Sequence, residues 1–218
     1  MSALGSWREP EYVSRWASED TLARVLDFPR RISTALVRDA RIEVRHVIDL
    51  GSGEGPYLAE FLRAFPDARG TWVDVSAAML PRAGAALADL GDRVTYVLAA
   101  AEELPDLGRA DVVVSSRALH HLTPEALGRC YAEVRSLLNR GGWFFNLDHV
   151  GSSADWEERY RRIRDEFVGA RRTPLERHRE DEPLLPMAQH LELLEAGGFA
   201  SVDVPWRTFY TALLAAWA

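Results

Sequence analysis

The sequence contains a single cysteine, Cys130, and no apolar run approaches the roughly 18 residues that a transmembrane helix needs. One cysteine excludes an internal disulfide and suggests a reducing compartment. The six histidines are dispersed, and no set of cysteines and histidines has the spacing of a metal site. Residues 1–10 lack the basic-then-apolar pattern of a signal peptide. We therefore expect a cytoplasmic protein without a membrane segment or a bound metal.

Negative charge is in excess, with 33 acidic against 26 basic residues and a net charge of −7. This balance disfavours a general nucleic-acid binder, which usually shows a net basic face. The length of 218 residues allows one sizeable core and falls short of two ordinary domains. We therefore predict one domain spanning residues 1–218.

The rest of the chain is organised around residues 47–55, which read VIDLGSGEG. A strand that is apolar on both faces suits a parallel sheet covered by helices on both sides. Gly51, Gly53 and Gly55 allow a tight turn and a close approach to a bound group. A helix predicted over residues 55–65 would point its free amide groups at that turn. This combination predicts a site for a nucleotide-type cofactor.

Strands and helices alternate along the chain. Strands are predicted over residues 44–50, 71–75, 94–98, 110–115 and 142–150, and then over 201–206 and 208–217. The link between the last two is too short for a parallel crossover, so we expect them to be antiparallel. The pattern predicts an α/β fold with a doubly wound, Rossmann-like, seven-stranded mixed sheet, an antiparallel last strand and helices on both faces.

Four segments are expected within this domain. Residues 1–43 form a helical arm or lid, in which Pro29 is expected to interrupt a helix. Residues 44–150 form the cofactor-binding core, and Ser76 is expected to cap the helix after its second strand. Residues 151–186 form a helical insert, and residues 187–218 a closing helix and strand pair. The interleaved charges of the insert are typical of a solvated helix face.

Asp74 ends the second strand about 20 residues beyond the glycine turn, where an acidic side chain can accept hydrogen bonds from a ribose diol. A ribose alone does not separate NAD from S-adenosylmethionine (SAM). The turn reads G-x-G-x-G, and Pro56 occupies the position where the dinucleotide fingerprint has a third small residue. Glu54 adds an anion that is unfavourable beside a pyrophosphate and tolerable beside a sulfonium-bearing amino acid. These features favour SAM.

At this point the sequence resembles the class I SAM-dependent methyltransferases, including a branch of small bacterial enzymes. The resemblance lies in the order and spacing of VIDLGSGEG (47–55), WVDVSAAML (72–80), ADVVVSSRALHHL (110–122) and LNRGGWFFNL (138–147). It covers roughly residues 44–150 and extends towards the C-terminus through the closing strand pair, which fits methyltransferases better than dehydrogenases.

The resemblance implies that SAM is the cofactor, and it assigns residues to the methionine half. Gly51, Ser52 and Gly53 would run past that half, and Asp49 would hold its ammonium group. Trp16 in the arm is expected near the same turn, where an aromatic face would attract the sulfonium.

The resemblance also assigns residues to the adenosine half and to the methyl group. Asp74 would take the ribose hydroxyls, and Val75 and Met79 would sandwich the adenine. Ala101 and Glu102 would edge the adenine. The sulfonium and the substrate would be bordered by Ser116 and His121.

Polar residues after the fourth and fifth strands are the candidates for catalysis. Asp148, His149 and His120 are placed to orient or deprotonate an acceptor, and His149 is favoured because the ordinary pKa of histidine suits proton transfer near neutrality. The alternative is a strand end whose polar groups merely cap a loop. Neighbouring His120 and His121 lie about 100° apart on a helical turn, which argues against a shared metal ion.

These interpretations predict methyl transfer from SAM to an O, N, S or C nucleophile of a small-molecule acceptor by in-line displacement. The alternatives are a tRNA-modifying enzyme that transfers a methyl or carboxymethyl group, a nucleotide-dependent oxidoreductase, and a SAM-sensing module without catalysis. The sequence is compatible with a monomer or a homodimer.

Overall fold

The computed structural model describes residues 8–12, 14, 23–168 and 184–218. Its strands are β1 (His46–Leu50), β2 (Arg69–Asp74), β3 (Val94–Leu98), β4 (Ala110–Ser116), β5 (Leu138–His149), β6 (Ser201–Thr208) and β7 (Thr211–Trp217). They form one seven-stranded sheet in the order β3-β2-β1-β4-β5-β7-β6. Strands β1 to β5 pair in parallel, and β7 is antiparallel to both β5 and β6. The predicted fold class is confirmed.

Helices cover both faces of this sheet. They are α1 (Asp27–Asp39), α2 (Pro56–Ala64), α3 (Leu80–Ala86), α4 (Pro124–Leu137), α5 (Ala154–Val168) and α6 (Met187–Ala196). Short 3-10 turns occur at Ala23–Leu26, Ala88–Arg93 and Leu119–His121. Within the described ranges, no helix combines the length and the apolar character needed to cross a membrane.

Alternate residues of each central strand enter two different cores. Val47 of β1 packs with the side chains of α1, α2 and α3, whereas its neighbour Ile48 packs with those of α4 and α6. Both residues are fully buried. Since the parallel strands are covered on both faces, a ligand can reach them only at their ends.

The sheet order places a crevice between β1 and β4. The chain runs outward from β1 through β2 to β3 and then returns to add β4 on the other side of β1. The helix after β1 (α2) and the helix after β4 (α4) consequently lie on opposite faces. In such a sheet the ligand site opens at the carboxyl ends of these two strands.

Three local expectations were wrong in detail. β5 begins at Leu138 rather than residue 142, because Leu138 pairs with Ala110 on the far side of a bulge. Pro29 does not interrupt α1, because it lies in the first turn, where a backbone N–H has no helical partner to lose. Ser76 does not cap a helix, because its carbonyl accepts the N–H of Met79 in a turn before α3 begins.

Part of the arm and of the insert lies outside the described residues. This applies to residues 1–7, 13 and 15–22, and to residues 169–183 between α5 and α6. Trp16, expected beside the cofactor turn, is among them.

Candidate active site

A cavity of about 390 Å³ opens at the carboxyl ends of β1, β2 and β4. Its walls come from the turn after β1, the segments that follow β2, β3 and β4, and helix α1. The sequence-predicted residues that line it are Asp49, Gly51, Ser52, Gly53, Asp74, Val75, Met79, Ala101, Ser116 and His121. The fold therefore brings residues from distant parts of the sequence into one cavity.

The glycine turn closes the end of β1. Gly51 and Gly53 have φ values of 65° and 56°, in the left-handed region that side chains rarely adopt. A Cβ on Gly51 would lie 2.3 Å from the Cβ of Ala118, so the turn contacts the segment after β4 too closely for any side chain. At Gly53 nothing lies within 4 Å of the Cβ position, and this residue borders the cavity.

Asp49 supplies a buried carboxylate beneath the turn, with 1% of its surface exposed. Its Oδ2 accepts hydrogen bonds from the Ser52 hydroxyl at 2.7 Å and the Leu58 N–H at 3.1 Å, whereas Oδ1 has no partner among the described residues. Burial raises the pKa of Asp49 to about 7, although these hydrogen bonds and the charge of Arg30 oppose the shift. A cationic donor bound in the cavity would satisfy Oδ1 and favour the ionised carboxylate.

Asp74 lies at the end of β2 and is 8% exposed. Its Oδ1 accepts the N–H of Ser76 and its Oδ2 accepts the N–H of Gly53, both at 2.8 Å. Burial raises the pKa of Asp74, and these backbone hydrogen bonds act in the opposite direction. Each carboxylate oxygen can accept a second hydrogen bond, so Asp74 is able to receive two hydroxyl groups.

Apolar residues form the part of the cavity beyond Asp74. Val75, Met79 and Ala101 line this part, together with Ala99 and Leu87. Glu102, which was expected to share this position with Ala101, is exposed and is not among the lining residues.

The three predicted catalytic residues contact one another, but they lie behind the cavity wall. His120 Nδ1 lies 2.5 Å from Oδ1 of Asp148, a residue with no exposed surface. The carboxylate also accepts the N–H groups of His120 at 2.9 Å and of His149 at 2.8 Å. Burial alone would raise the pKa of Asp148, but the adjacent His120 and these hydrogen bonds hold that pKa below its usual value.

His120 connects this buried carboxylate to the cavity. The side chain of His120 is 4% exposed, and its Nε2 has no hydrogen-bond partner in the described part of the chain. Its ring centroid is 4.0 Å from that of His121, which lines the cavity. His149 instead places Nδ1 3.1 Å from the hydroxyl of Thr211 on β7. The ring of His120 therefore contacts Asp148 directly, and the ring of His149 contacts β7.

A second buried polar group lies between α4, β5 and α6. The Tyr131 hydroxyl is 2.9 Å from Nδ1 of His190 and accepts a hydrogen bond from Nδ2 of Asn146 at 3.1 Å. All three residues are fully buried. Burial lowers the pKa of His190 to about 4, so this histidine is neutral near physiological pH.

Two arginines line the cavity that the sequence analysis did not identify. Arg30 comes from α1 and is 4% exposed, and Arg117 directly follows β4. The position of Arg117 after a central strand was a usable signal. No such signal marks Arg30, because it is followed by Arg31 and the two arginines are typical of the solvated side of an amphipathic helix. Among the residues that the structure describes, no group of three or more His, Cys, Asp or Glu side chains could hold a metal ion.

Comparison with known families gives one match. Residues 47–142 match a family model described as a methyltransferase domain. The matched segment runs from β1 into β5 and contains the glycine turn, Asp74 and His120. No curated protein matches the chain.

Solved structures share the fold at low identity. A proposed O-methyltransferase from Nostoc punctiforme superposes with a TM-score of 0.72 at 19% identity, covering 95% of this chain and 60% of that one. An O-methyltransferase family protein from Burkholderia thailandensis gives 0.63 at 24%, covering 94% and 61%. Human N-acetylserotonin methyltransferase, solved in complex with SAM, gives 0.67 at 16%, covering 97% and 57%.

The chain thus spans about three fifths of the length of these structures. At such identities the likeness concerns the fold alone. The family match adds a similarity in sequence, and it covers the segment that builds the glycine turn and the ends of β1, β2 and β4. Over residues 47–142 the chain therefore matches a methyltransferase domain, and its fold is one that solved methyltransferases share.

Proposed function

We propose that this protein transfers the methyl group of SAM to an oxygen nucleophile of a small molecule. The observation that carries the proposal is the pairing of two acidic residues in one cavity. Asp49 has a buried oxygen without a hydrogen-bond partner, and Asp74 can receive two hydroxyl groups. SAM presents an ammonium group and a ribose diol, which are the groups that these two carboxylates would bind.

The remaining lining residues fit the same cofactor. The free space at Gly53 leaves room for the methionine half to pass the turn. Val75, Met79 and Ala101 offer an apolar surface to the adenine. The volume of about 390 Å³ lies in the range of small-molecule sites. SAM in complex with the human structural relative supports this assignment.

When bound, SAM supplies an electrophilic methyl group on a cationic sulfur. Charge is dispersed as the methyl group moves in line, so positioning and the exclusion of water contribute much of the rate. The glycine turn and Asp49 hold one side of the reacting centre in place. Ser116 and His121, which line the cavity after β4, would border the other side.

The His120–Asp148 pair favours an acceptor hydroxyl. Because the pKa of Asp148 is held below its usual value, its carboxylate can accept the Nδ1–H of His120, which would leave Nε2 as the proton acceptor. As the carbon–oxygen bond forms, the carbon–sulfur bond would break and SAH would leave as a neutral thioether. Nε2 would take the hydroxyl proton, and Asp148 would stabilise the resulting imidazolium. Two of the structural relatives are described as O-methyltransferases, which supports the same choice.

The first test is calorimetric titration of the purified protein with S-adenosylhomocysteine (SAH) and, separately, with NAD. Micromolar binding of SAH alone would support the cofactor assignment. Incubation with methyl-labelled SAM and a panel of hydroxylated small molecules would then identify the acceptor. Binding of NAD in preference to SAH would overturn the proposal.

A further inference from the structure

Three polar side chains form a cluster deep in the core on one face of the sheet. Tyr131 belongs to α4, Asn146 to β5 and His190 to α6, and all three have no exposed surface. Tyr131 shares this core with apolar residues such as Phe144 and Leu194, and none of the three polar residues lines the cavity. Burying polar groups in such surroundings is costly unless hydrogen bonds compensate for the loss of water, so the contacts within the cluster are informative.

The hydrogen bonds of this cluster run in one direction. Asn146 donates from Nδ2 to the hydroxyl oxygen of Tyr131 at 3.1 Å. Burial raises the pKa of Tyr131 well above its usual value, so the hydroxyl keeps its proton and can donate it to Nδ1 of His190 at 2.9 Å. His190 can accept this bond because burial lowers its pKa to about 4 and leaves the imidazole neutral. The tyrosine hydroxyl therefore connects α4 with both β5 and α6.

The cluster joins the same two parts of the chain as the contact between His120 and Asp148, which we call the buried pair. Asn146 and Asp148 are two residues apart on β5, and they point to the same face because side chains alternate along a strand. Their partners, Tyr131 and His120, both lie in residues 119–137, the turn–helix segment that comprises the 3-10 turn after β4 and helix α4. This segment is thus attached to one face of β5 at two points.

The two attachment points are also close enough to influence each other electrostatically. Burial has the largest effect on the pKa of His190, but the charge of Asp148 also raises that pKa and the charge of His120 also lowers it. Cys130, next to Tyr131, adds no charge, because burial raises the pKa of its thiol to about 12. The cluster and the buried pair are therefore neighbours within one polar region of the core.

We propose that Tyr131 and His190 are positioning residues, which keep the buried pair aligned by holding the turn–helix segment against β5. A segment attached only through the buried pair would be free to rotate about that contact. The second attachment, at Asn146, removes this freedom, and His190 orients the hydroxyl group that makes it. The inference rests on the proposed function, since it takes the buried pair as the group that accepts the proton of the methyl acceptor.

The experiment removes the hydroxyl group with Tyr131→Phe and its acceptor on α6 with His190→Leu. His190→Asn is the conservative variant, because the oxygen of an asparagine can accept a hydrogen bond from tyrosine as Nδ1 does. Tyr96→Phe is the matched control, because Tyr96 lies on β3 and packs on Trp72, away from the buried pair. SAH affinity is measured by calorimetry, and turnover as label transfer from SAM to the acceptor that the panel of hydroxylated molecules identifies.

Proton NMR follows the buried pair directly. A histidine Nδ1 proton that is donated to a buried carboxylate resonates far downfield, and its disappearance in His120→Ala assigns the signal. The resonance should shift or broaden in Tyr131→Phe and His190→Leu, return in His190→Asn and stay unchanged in Tyr96→Phe. In the first two variants kcat should fall about tenfold through misalignment, whereas KM and SAH affinity should not change, because the cavity lining is intact. An unchanged resonance and an unchanged kcat in Tyr131→Phe would overturn the proposal.

A double variant separates positioning from a general loss of packing. If Tyr131 acts through the buried pair, Tyr131→Phe should cause no further loss of turnover in protein that already carries His120→Ala. The same loss in both backgrounds would show that the hydroxyl acts independently of the buried pair, which contradicts a positioning role.

A combined variant, Tyr131→Phe with Asn146→Leu and His190→Leu, keeps the test possible if the single variants do not fold. Removing all three partners together leaves no polar group of the cluster buried without a hydrogen bond. A wild-type resonance and wild-type turnover in this variant would also overturn the proposal. Failure of the proposed function gives a different result, because the wild type would then not bind SAH, while the resonance would still report whether Tyr131 and His190 align the buried pair.

Discussion

The Nδ1 atom of His120 lies 2.5 Å from Oδ1 of Asp148, a carboxylate that is fully buried and also accepts two backbone N–H groups. This contact joins the turn after β4 to the end of β5. Three hydrogen bonds fix the carboxylate, so the imidazole ring is held in one orientation. The pair therefore holds the imidazole ring, whose Nε2 is buried and has no hydrogen-bond partner among the described residues, beside the cavity-lining His121.

Replacing His120 with alanine should lower turnover by about 10²- to 10⁴-fold, which is the usual contribution of a general base. SAH affinity should be unchanged, because His120 is outside the cavity lining. Turnover is measured as label transfer from SAM to the acceptor found by screening, and SAH affinity by calorimetry. Asp148→Asn should also lower turnover, since it removes the charge that stabilises the protonated ring.

The matched control is His46→Ala, because His46 lies at the other end of β1 and its Nδ1 is 2.9 Å from the carbonyl of Arg109. His149→Ala separates the two histidines that follow from the sequence analysis. Wild-type turnover in His120→Ala, with a loss in His149→Ala, would transfer the role of the base to His149.

The two glycines of the turn should respond differently to alanine. Both substitutions force a side chain into the left-handed region, at a cost of about 1–2 kcal/mol. Gly51→Ala adds a contact of 2.3 Å with Ala118 Cβ, so it should lower the free energy of unfolding well beyond that value. Gly53→Ala should lower the free energy of unfolding by about the cost of the left-handed backbone alone. It should also weaken SAH binding, because its Cβ would enter the cavity.

Urea denaturation and calorimetric titration measure the two effects separately. Equal stability of both variants would show that the turn and the segment after β4 are not in close contact. Wild-type SAH affinity in Gly53→Ala would move the cofactor away from the turn.

Asp74→Ala should weaken SAH binding by an order of magnitude or more, since it removes the acceptor of the ribose hydroxyls. Asp92→Ala is the matched control, because Asp92 is 90% exposed and lies in the 3-10 turn before β3. Both proteins are titrated with SAH by calorimetry. An affinity of Asp74→Ala close to that of the wild type would contradict the ribose assignment.

The elements that local sequence patterns encode could be predicted. Apolar strands, the glycine turn and the acidic end of β2 are written in consecutive residues, and they are found in the structure as expected. The contacts that depend on the packing of distant segments could not be predicted in this way. Arg30 enters the cavity only because α1 packs on α2, and nothing within α1 indicates which of its arginines does so.

Glu54 illustrates the same limit. An unpaired carboxylate at Glu54 would disfavour a pyrophosphate beside the turn. In the structure Arg82 of α3 lies 3.1 Å from it, so Glu54 does not stand alone. The conclusion in favour of SAM therefore depends on the family match and on Asp49, whose unpartnered oxygen the sequence does not reveal.

SAH binding should depend on pH through Asp49. Below its pKa of about 7 the carboxylate is protonated and cannot pair with an ammonium group, so the affinity should fall as the pH is lowered from about 8 to 6. Binding near pH 6.5 should release protons, because the bound ammonium favours the ionised form. Titrations in buffers of different ionisation enthalpy measure that release. Asp49→Asn should bind weakly at every pH and release no protons from this position.

The pH dependence of stability should contain two opposing contributions. Asp49 has a folded pKa of about 7 against 3.8 for the ordinary group, so between these values only the folded state binds the proton, and stability rises as the pH falls. His190 has a folded pKa of about 4 against 6.5, so between these values only the unfolded state binds the proton, and stability decreases as the pH falls.

The two effects oppose each other between about pH 4 and 6.5, and single substitutions should separate them. Relative to the wild type, His190→Gln should gain up to about 2 kcal/mol on going from about pH 6.5 to 5, and Asp49→Asn should lose a similar amount. Comparing two pH values cancels the constant cost of each substitution. Urea denaturation gives the free energies. Parallel pH profiles for the three proteins would mean that neither group changes its protonation on folding. A change in Asp49→Asn alone would show that the protonation of His190 does not change on folding, which would contradict its lowered pKa in the folded protein.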